Sequence, residues 1–339
     1  MYTATIDTGT TNTRVTIWED KKPIHTEKNG TGVRVSSIEG TNEKLLISIR
    51  KCLLSALAKT KIHEESLSLI IASGMIGSEL GICEIERVIA PASLIDLAKH
   101  CEQRSIKEVS RLQPIWFIPG IQNASGVDDV SKCELMDVMR GEEAEAFGIL
   151  AKENIKGPVV LILPGSHTKY VYINENNEIM GCTTTMAGEI LMELTRSSII
   201  SDSLSSNYVK KIEAKWLEAG AKSEATVGIG RAAFSVRILD LFTEATVNQK
   251  ANYLLGAIIA TDMKALFGSG VCKVNNHCEI LIGGTTTFSE GFLHLLKKAK
   301  PDIKNIRVVD EKTQDNIAGY GAIMIMEQAR ACQDGRCIT

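Results

Sequence analysis

The sequence has no excess of basic residues and no long apolar run. Its 339 residues include 38 Lys and Arg against 41 Asp and Glu, a formal net charge of −3. Binding to a nucleic-acid backbone needs an excess of Lys and Arg to neutralise its phosphates, so nucleic-acid binding is disfavoured. The most apolar stretch, residues 253–260, is far too short to span a bilayer, and residues 1–7 lack the basic and apolar segments of a signal peptide. We therefore expect a cytoplasmic protein that binds neither nucleic acid nor membrane.

Paired cysteines are also missing. Nine cysteines are scattered along the chain, and no two form a CxxC pair. His277 and Cys278 are adjacent, but no second pair at metal-ligand spacing accompanies them. We expect the cysteines to be small buried residues or surface thiols.

What the sequence does contain is an approximate repeat. A strand, a Gly/Thr turn, a strand, a turn and a third strand are indicated at residues 3–27, and the same order recurs at 158–185, each time followed by helical patterns. The length suits two domains, and 44% hydrophobic residues suffice for two cores. We predict a two-lobed α/β protein with a nucleotide between the lobes, the first covering residues 1–156 and the second 157–339. Among the helices, we predict 93–103, 134–152, 208–219 and 314–328.

The first Gly/Thr turn is the strongest chemical signal. Its residues Gly9, Thr10, Thr11 and Asn12 would expose backbone amides and hydroxyls together, a concavity that suits phosphate oxygens. Asp7, on the strand just before it, could hold Mg²⁺ directly or through water. A purely structural turn, with Asp7 as its cap, is the alternative.

The second turn and a later glycine pair strengthen the phosphate interpretation. Gly165, Ser166, His167 and Thr168 again separate a buried strand from the next. Gly283 and Gly284 lie where a strand meets a helix, so a flat base could approach the backbone there. Each element alone is a weak signal, but the three in this order form a specific pattern.

Five strings carry a family resemblance: IDTGTTNTR at 6–14, ASGMIGS at 72–78, DVMRGEE at 137–143, LPGSHTK at 163–169 and MAGE at 186–189. Their order resembles the actin, hexokinase and Hsp70 superfamily, and more narrowly the 2-dehydro-3-deoxygalactonokinase family along nearly the whole chain. The resemblance implies two RNase H-like (actin-like ATPase) lobes around an interdomain ATP and substrate cleft. It also implies that the last helix packs on the first lobe, that ATP and Mg²⁺ are used, and that the 6-hydroxyl of 2-dehydro-3-deoxy-D-galactonate is phosphorylated.

The resemblance also implies roles for further residues. Glu142 matches the place of a general base that opens a helix in related sugar kinases, with Asp137 as its rival and helix capping as the alternative role. Arg140 and Lys169 are candidates to bind the substrate carboxylate, because an acidic substrate needs a cation. Ser73, Gly74 and Met75 form a candidate substrate loop at a strand end.

Three alternatives stay open from the sequence alone. The substrate could be another 2-keto-3-deoxy sugar acid, such as the C4 epimer. The protein could be a phosphohydrolase of the same superfamily, or an actin-like nucleotide-dependent binding protein. A homodimer is the candidate assembly.

Overall fold

The computed structural model describes residues 1–124, 130–284 and 286–333. The chain divides into two compact units. Unit 1 comprises Met1–Gly126, Val138–Lys156 and Thr313–Thr339, and unit 2 comprises Val127–Asp137 and Gly157–Lys312.

The strands are short, and most are at least half buried. In chain order they are β1 (Tyr2–Thr8), β2 (Thr13–Glu19), β3 (Lys22–Asn29), β4 (Leu67–Gly74), β5 (Val88–Ile89), β6 (Glu102–Arg104), β7 (Ile115–Phe117), β8 (Ile121–Gln122), β9 (Val138–Met139), β10 (Val159–Leu163), β11 (Thr168–Ile173), β12 (Ile179–Thr185), β13 (Glu279–Ile282) and β14 (Ile306–Val308).

The helices flank the sheets. They are α1 (Arg34–Glu39), α2 (Glu43–Thr60), α3 (Leu94–Lys99), α4 (Glu142–Glu153), α5 (Ala187–Arg196), α6 (Ala214–Phe242), α7 (Val247–Gly268), α8 (Thr287–Ala299), α9 (Glu311–Gln314) and α10 (Ile317–Gln333). Within the described residues, none of them is both long and apolar enough to cross a membrane.

The two larger sheets repeat one topology. In unit 1 the order is β3-β2-β1-β4-β7-β6, and in unit 2 it is β12-β11-β10-β13-β14. Each starts with an antiparallel meander whose first strand then pairs in parallel with a later strand, β1 with β4 and β10 with β13. All five residues of β10 are buried, as expected for a strand covered on both faces. The repeat predicted from the sequence is therefore present as a repeat of sheet order.

Each unit has its own apolar core. In unit 1 the apolar face of α2, with Leu45, Ile49 and Leu53 at helical spacing, packs in one cluster with buried residues of β1 and β2. In unit 2 the cluster joins β10, β11 and β13 to α7 and α8, and Tyr170 meets Phe292 edge to face. Replacing Leu53 by Ala would cost roughly 2–5 kcal/mol of folding free energy.

The last helix, α10, lies in unit 1 and packs against α3 and α4. Gly321 of α10 lies so close to the backbone of Ala144 in α4 that a Cβ would meet the Ala144 carbonyl carbon at 2.7 Å. The chain therefore returns to its first unit after completing the second sheet.

All four of the predicted helices have other bounds in the structure, and the one predicted at 314–328 is α10, which runs from Ile317 to Gln333. The helix predicted at 93–103 ends at Lys99, and β6 begins at Glu102, where strand pairing with β7 overrides the helical pattern. The helix predicted from residue 134 begins only at Glu142, because Gly141 has φ 113°, which interrupts helical geometry. The helix predicted at 208–219 begins at Ala214 and continues to Phe242, with a kink at Gly228, where φ is 77°.

Candidate active site

The first loop, residues 9–12, is exposed at the β1–β2 turn and is held from behind. The Gly9 amide donates to the Asn12 carbonyl at 2.9 Å. The carbonyls of Gly9 and Thr10 accept from the amides of Val33 and Arg34, at the start of α1. In the described part of the chain, the amides of Thr10 and Thr11 donate no hydrogen bond, so they are available to an anion.

Gly32 allows the first loop to pack this closely against the segment that precedes α1. A Cβ there would lie 2.5 Å from the Thr10 carbonyl carbon and 2.5 Å from the Thr11 amide nitrogen. Any other residue would therefore push the loop outward. No local pattern in the sequence indicates this contact, because β2 and β3 separate Gly32 from the loop along the chain.

Asp7 lies near the end of β1, directly opposite Arg14 of β2. Its carboxylate is 3.7 Å from the Arg14 guanidinium, and 31% of its side chain is exposed. Burial raises the pKa of Asp7, the charge of Arg14 opposes that shift, and the charge of Glu142 reinforces it. A further positive charge beside the Asp7 carboxylate would therefore be favourable.

Two glycines bring other loops of unit 1 onto Asp7. A Cβ at Gly74, where φ is 83°, would lie 3.0 Å from Asp7 Oδ1. A Cβ at Gly141 would lie 3.1 Å from the Gly74 Cα. Ser73 is the register partner of Asp7 on the parallel strand β4. The residue 73–75 loop and the start of α4 therefore converge on the carboxylate that precedes the first loop.

Three glutamates open helix α4, and their charges are coupled. Glu142 Oε2 accepts the Arg140 amide at 3.0 Å, and Glu143 accepts the Gly141 amide. Burial, then the charge of Glu142, raises the pKa of Glu143 to about 8. Burial, then the charges of Glu142 and Asp7, raises the pKa of Glu145 to about 7. Unit 1 thus gathers more acid groups around the first loop than Arg14 alone can neutralise.

Arg140 is buried rather than presented at a surface. Only 9% of its area is exposed, and its guanidinium donates to the Ile85 carbonyl at 2.7 Å. A Cβ at Gly77 would lie 3.1 Å from its Nη1, and one at Gly120 would lie 3.4 Å from the Arg140 Cβ and Cγ. The side chain therefore threads between two glycines and fixes the segment from Gly77 to Ile85.

The second loop, residues 165–167, is exposed between β10 and β11 and is seated in the same way as the first. Gly188 touches it so closely that a Cβ would lie 2.9 Å from the Gly165 carbonyl carbon and 3.0 Å from the Ser166 Cα. The Glu189 amide donates to the Ser166 carbonyl at 2.9 Å. His167 Nε2 lies 3.1 Å from the Glu189 carboxylate, and both side chains are well exposed.

Asp137 belongs to unit 2. Its carboxylate accepts from the amide and hydroxyl of Thr184, the latter at 2.7 Å. Its Oδ1 lies 3.7 Å from Lys169 Nζ, which donates to the Thr184 hydroxyl at 2.6 Å. Asp137 and Lys169 are largely buried, with 17% and 10% of their side chains exposed. They form a paired, hydrogen-bonded cluster on β11 and β12.

Gly283 and Gly284 follow β13 and precede α8. The Gly283 amide donates to the Ile162 carbonyl at 2.7 Å, and its carbonyl accepts from the Ser289 hydroxyl at 2.7 Å. Gly284 has φ 79°, which a residue with a Cβ rarely adopts. Thr286, Thr287 and Phe288 then line a concavity of about 260 Å³, together with residues of α5 and α7 and with Tyr208 and Val209.

The residues around the first loop could hold a Mg²⁺ ion only if a bound nucleotide supplied further ligands. The described residues contain no group of three His, Cys, Asp or Glu side chains arranged to hold a metal. Mg²⁺ in phosphoryl-transfer sites usually takes one or two carboxylates and completes its shell with phosphate oxygens and water. Asp7, a carboxylate whose pKa is raised next to an exposed loop of free amides, matches that mode.

The repeated sheet order, with one exposed loop in each unit, defines the actin-like ATPase fold. A crystal structure of a putative 2-dehydro-3-deoxygalactonokinase from Sinorhizobium meliloti is similar at a TM-score of 0.73 and 20% identity, covering 98% of this chain and 96% of that one. The structure of (R)-2-hydroxyglutaryl-CoA dehydratase component A from Acidaminococcus fermentans is similar at 0.52 and 13%, covering 97% and 99%. The predicted fold class is confirmed.

The chain belongs to the 2-keto-3-deoxy-galactonokinase family, whose model matches residues 7–313. No curated protein sequence matches the chain. The family is one of kinases, so the prediction of a phosphotransferase is confirmed. The individual site roles and the predicted interdomain cleft stay predictions.

The predicted site residues fall into two groups. Asp7, the first loop, Ser73, Gly74, Met75, Arg140 and Glu142 come together in unit 1, and the second loop, Thr168, Lys169, Asp137, Gly283 and Gly284 belong to unit 2. The sequence reasoning missed Arg14, Gly32, Glu145 and Gly188. Arg14 and Gly188 lie inside the family strings and could have been found there, whereas Gly32 and Glu145 acquire their roles only through packing.

Proposed function

We propose that this protein transfers the γ-phosphoryl group of ATP to the 6-hydroxyl of 2-dehydro-3-deoxy-D-galactonate, with Mg²⁺ as the metal. Family membership supports the kinase and the sugar acid. The observation that carries the mechanism is the convergence of Asp7, Gly74 and Glu142 beside an exposed loop with free amides. A cytoplasmic location belongs to the same proposal, because the reaction draws on the ATP of the cell interior.

The two loops are proposed to bind the phosphates. Thr10 and Thr11 offer amides, and Gly165, Ser166 and His167 are exposed on a loop anchored at the start of α5. The concavity next to Gly283 and Gly284 is proposed to take the adenine, because Phe288, Tyr208 and Leu254 supply an apolar lining and the Thr286 and Thr287 side chains supply polar atoms.

Asp7 is proposed to hold the metal, which supplies charge neutralisation at the phosphates. Arg14 opposes the rise in the pKa of Asp7 that burial causes. Glu145 would be drawn toward its ionised form by the same positive charge, because its raised pKa originates partly from Glu142 and Asp7.

Glu142 is proposed as the general base. It opens α4 next to Gly141, and Gly141 touches Gly74, which in turn touches Asp7. Asp137 is the weaker candidate because its oxygens are already engaged by Thr184 and Lys169. A positioned base contributes about 10²–10⁴-fold to rate.

Arg140 and Lys169 are proposed to act mainly by fixing the loops that carry the substrate site. Both are buried and hydrogen-bonded within their own units. Met75, which is half-buried next to Gly74, is the proposed substrate contact of the residue 73–75 loop. We propose that loop amides recognise the carboxylate of the sugar acid, together with a cationic side chain that becomes exposed when the substrate binds.

The proposal is tested by a coupled ADP-release assay over a panel of 2-keto-3-deoxy sugar acids, their C4 epimers and neutral hexoses. We expect the galactonate derivative to give the highest kcat/KM, and phosphorus NMR of the product to show a primary phosphate ester. Equal kcat/KM for glucose or galactose would contradict the sugar-acid assignment. ADP release without any acceptor would favour a phosphohydrolase.

A further inference from the structure

A buried carboxylate of unit 2 lies outside the machinery described above. Asp262, on α7, is 3% exposed. Neither of its carboxylate oxygens forms a hydrogen bond within the described residues, and no described Lys, Arg or His lies within ion-pair distance. A buried charge is costly unless it is paired or coordinates a metal ion, so this one calls for a partner.

Three hydroxyl groups surround Asp262 and share its condition. Thr168 and Tyr170 lie two residues apart on β11, and Thr185 of β12 is the register partner of Thr168. Strand geometry therefore places all three on one face of the meander, the face toward α7. Their side-chain oxygens are buried, and none has a hydrogen-bond partner in the described part of the chain.

The three hydroxyls lower the pKa of Asp262, but they offset only part of the rise that burial causes. Burial raises the pKa of Asp262 to about 6, and the hydroxyls of Thr185, Tyr170 and Thr168 pull it back. Burial and the charge of Asp262 raise the pKa of Tyr170, so the phenol stays protonated. The site therefore offers two carboxylate oxygens and three neutral hydroxyl oxygens around one negative charge.

We propose that Asp262, Thr168, Tyr170 and Thr185 bind a monovalent alkali cation, K⁺ or Na⁺. All five candidate ligands are oxygens, the preference of hard cations. One positive charge neutralises the single carboxylate, whereas a divalent ion would leave an excess charge in a buried site. On the opposite face of the same strands, the carboxylate of Asp137 already has partners, Lys169 and Thr184.

The position of this site links it to the second loop. Thr168 directly follows residues 165–167, and Thr185 precedes the α5 start, where Gly188 and Glu189 hold that loop. A cation between β11, β12 and α7 would link Thr168, which follows the second loop, and Thr185, which precedes α5, to helix α7. It would stabilise unit 2 whether or not the protein transfers phosphate.

The test measures thermal unfolding of the full-length protein, without nucleotide, in KCl, NaCl and tetramethylammonium chloride at one ionic strength. We expect a saturable rise in Tm of about 2–4 °C in KCl or NaCl over tetramethylammonium chloride. Asp262→Asn and Thr185→Val should each abolish the difference. Equal wild-type Tm values in all three salts would overturn the proposal.

Glu224→Gln is the matched control. Glu224 is also buried in unit 2, at 3% exposure, but Lys264 donates to it at 2.6 Å and compensates its charge. This variant should keep the salt-specific rise in Tm, and its loss there would refute the assignment to Asp262. A second readout is the anomalous signal of Rb⁺ in crystals. A peak among the four side chains supports a cation, and water density with no peak refutes it.

Discussion

The two loops are built alike but stand in different electrostatic surroundings. In each unit a glycine outside the hairpin, Gly32 or Gly188, touches the loop backbone, and the following amide groups anchor its carbonyls. Around the first loop, Asp7, Glu142 and Glu145 outnumber the cation Arg14, and burial raises the pKa values of Asp7 and Glu145. Beside the second loop, Asp137 and Lys169 form a completed pair.

This difference suggests a division of labour within one repeated scaffold. Uncompensated acid groups suit a place where a metal ion and a proton transfer are needed, because a bound cation stabilises them and a base must accept a proton. A completed ion pair suits a place that only has to keep its shape. We therefore expect substitutions of unit 1 carboxylates to affect the chemical step, and substitutions around the second loop to affect nucleotide affinity.

The largest expected effect is that of Asp7→Asn. Loss of the proposed metal ligand should lower kcat by about 10²–10³-fold or more. Stability should not fall at neutral pH, since the raised pKa means that the ionised carboxylate is disfavoured in the folded state. Steady-state kinetics and thermal unfolding at pH 7.5 check both parts. A near-normal kcat would remove Asp7 from the mechanism and break the contrast between the loops.

The next effect tests whether the two loops are equivalent in structure. Gly32→Ala and Gly188→Ala each place a Cβ against loop backbone at less than 3.0 Å. Each should raise the Kd for ATP by roughly tenfold, about 1.4 kcal/mol of binding free energy. Gly230→Ala is the control, because a Cβ there meets nothing within 4 Å. If only one of the two variants weakens ATP binding by calorimetry, the loops do not share the nucleotide.

The pH dependence of the Tm of Glu145→Gln should report on the acidic surroundings of the first loop. The folded-state pKa of about 7 lies above the ordinary value of 4.5, so stability from the protonated form is present below about pH 4.5 and is lost as the pH rises through 7. The variant lacks that loss. Its Tm should therefore exceed that of wild type increasingly between pH 5 and pH 8. A pH-independent difference would contradict the raised pKa.

Asp240→Asn, in unit 2, should show the opposite and smaller behaviour. Hydrogen bonds from Lys250 and then Ser203 lower the pKa of Asp240. A lowered pKa contributes stability above the ordinary value of 3.8 that is lost as the pH falls through the folded-state pKa. The variant should therefore melt slightly earlier than wild type at pH 7, and the gap should close as the pH falls below the ordinary value of 3.8. A variant that melts later at pH 7 would be inconsistent with paired charges in unit 2.

Much of this was predictable because it is local in sequence. Both loops are hairpins of Gly and hydroxyl residues between β-rich segments, and the repeated order of strands is visible from spacing alone. The apolar residues of α2 recur at helical spacing, and the face that they form is buried. These features depend on short-range periodicity and turn chemistry.

The rest depends on packing between distant segments. The burial of Arg140 requires Gly77 and Gly120 to approach it, and the pairing of Asp137 requires β11 and β12 to be in register. Neither is encoded in a local pattern. The family strings indicated that these residues matter, but could not tell a charge that contacts a ligand from one that holds a loop.

The most direct test of the division of labour compares Glu142→Gln with Asp137→Asn in single-turnover phosphoryl transfer at saturating ATP and sugar acid. Glutamine at 142 keeps the acceptor for the Arg140 amide but cannot take a proton, and asparagine at 137 keeps an acceptor for Thr184. We expect Glu142→Gln to lower the rate by at least about 10²-fold and Asp137→Asn to lower it less than about tenfold. The reverse ranking would contradict the account and assign the proton transfer to unit 2.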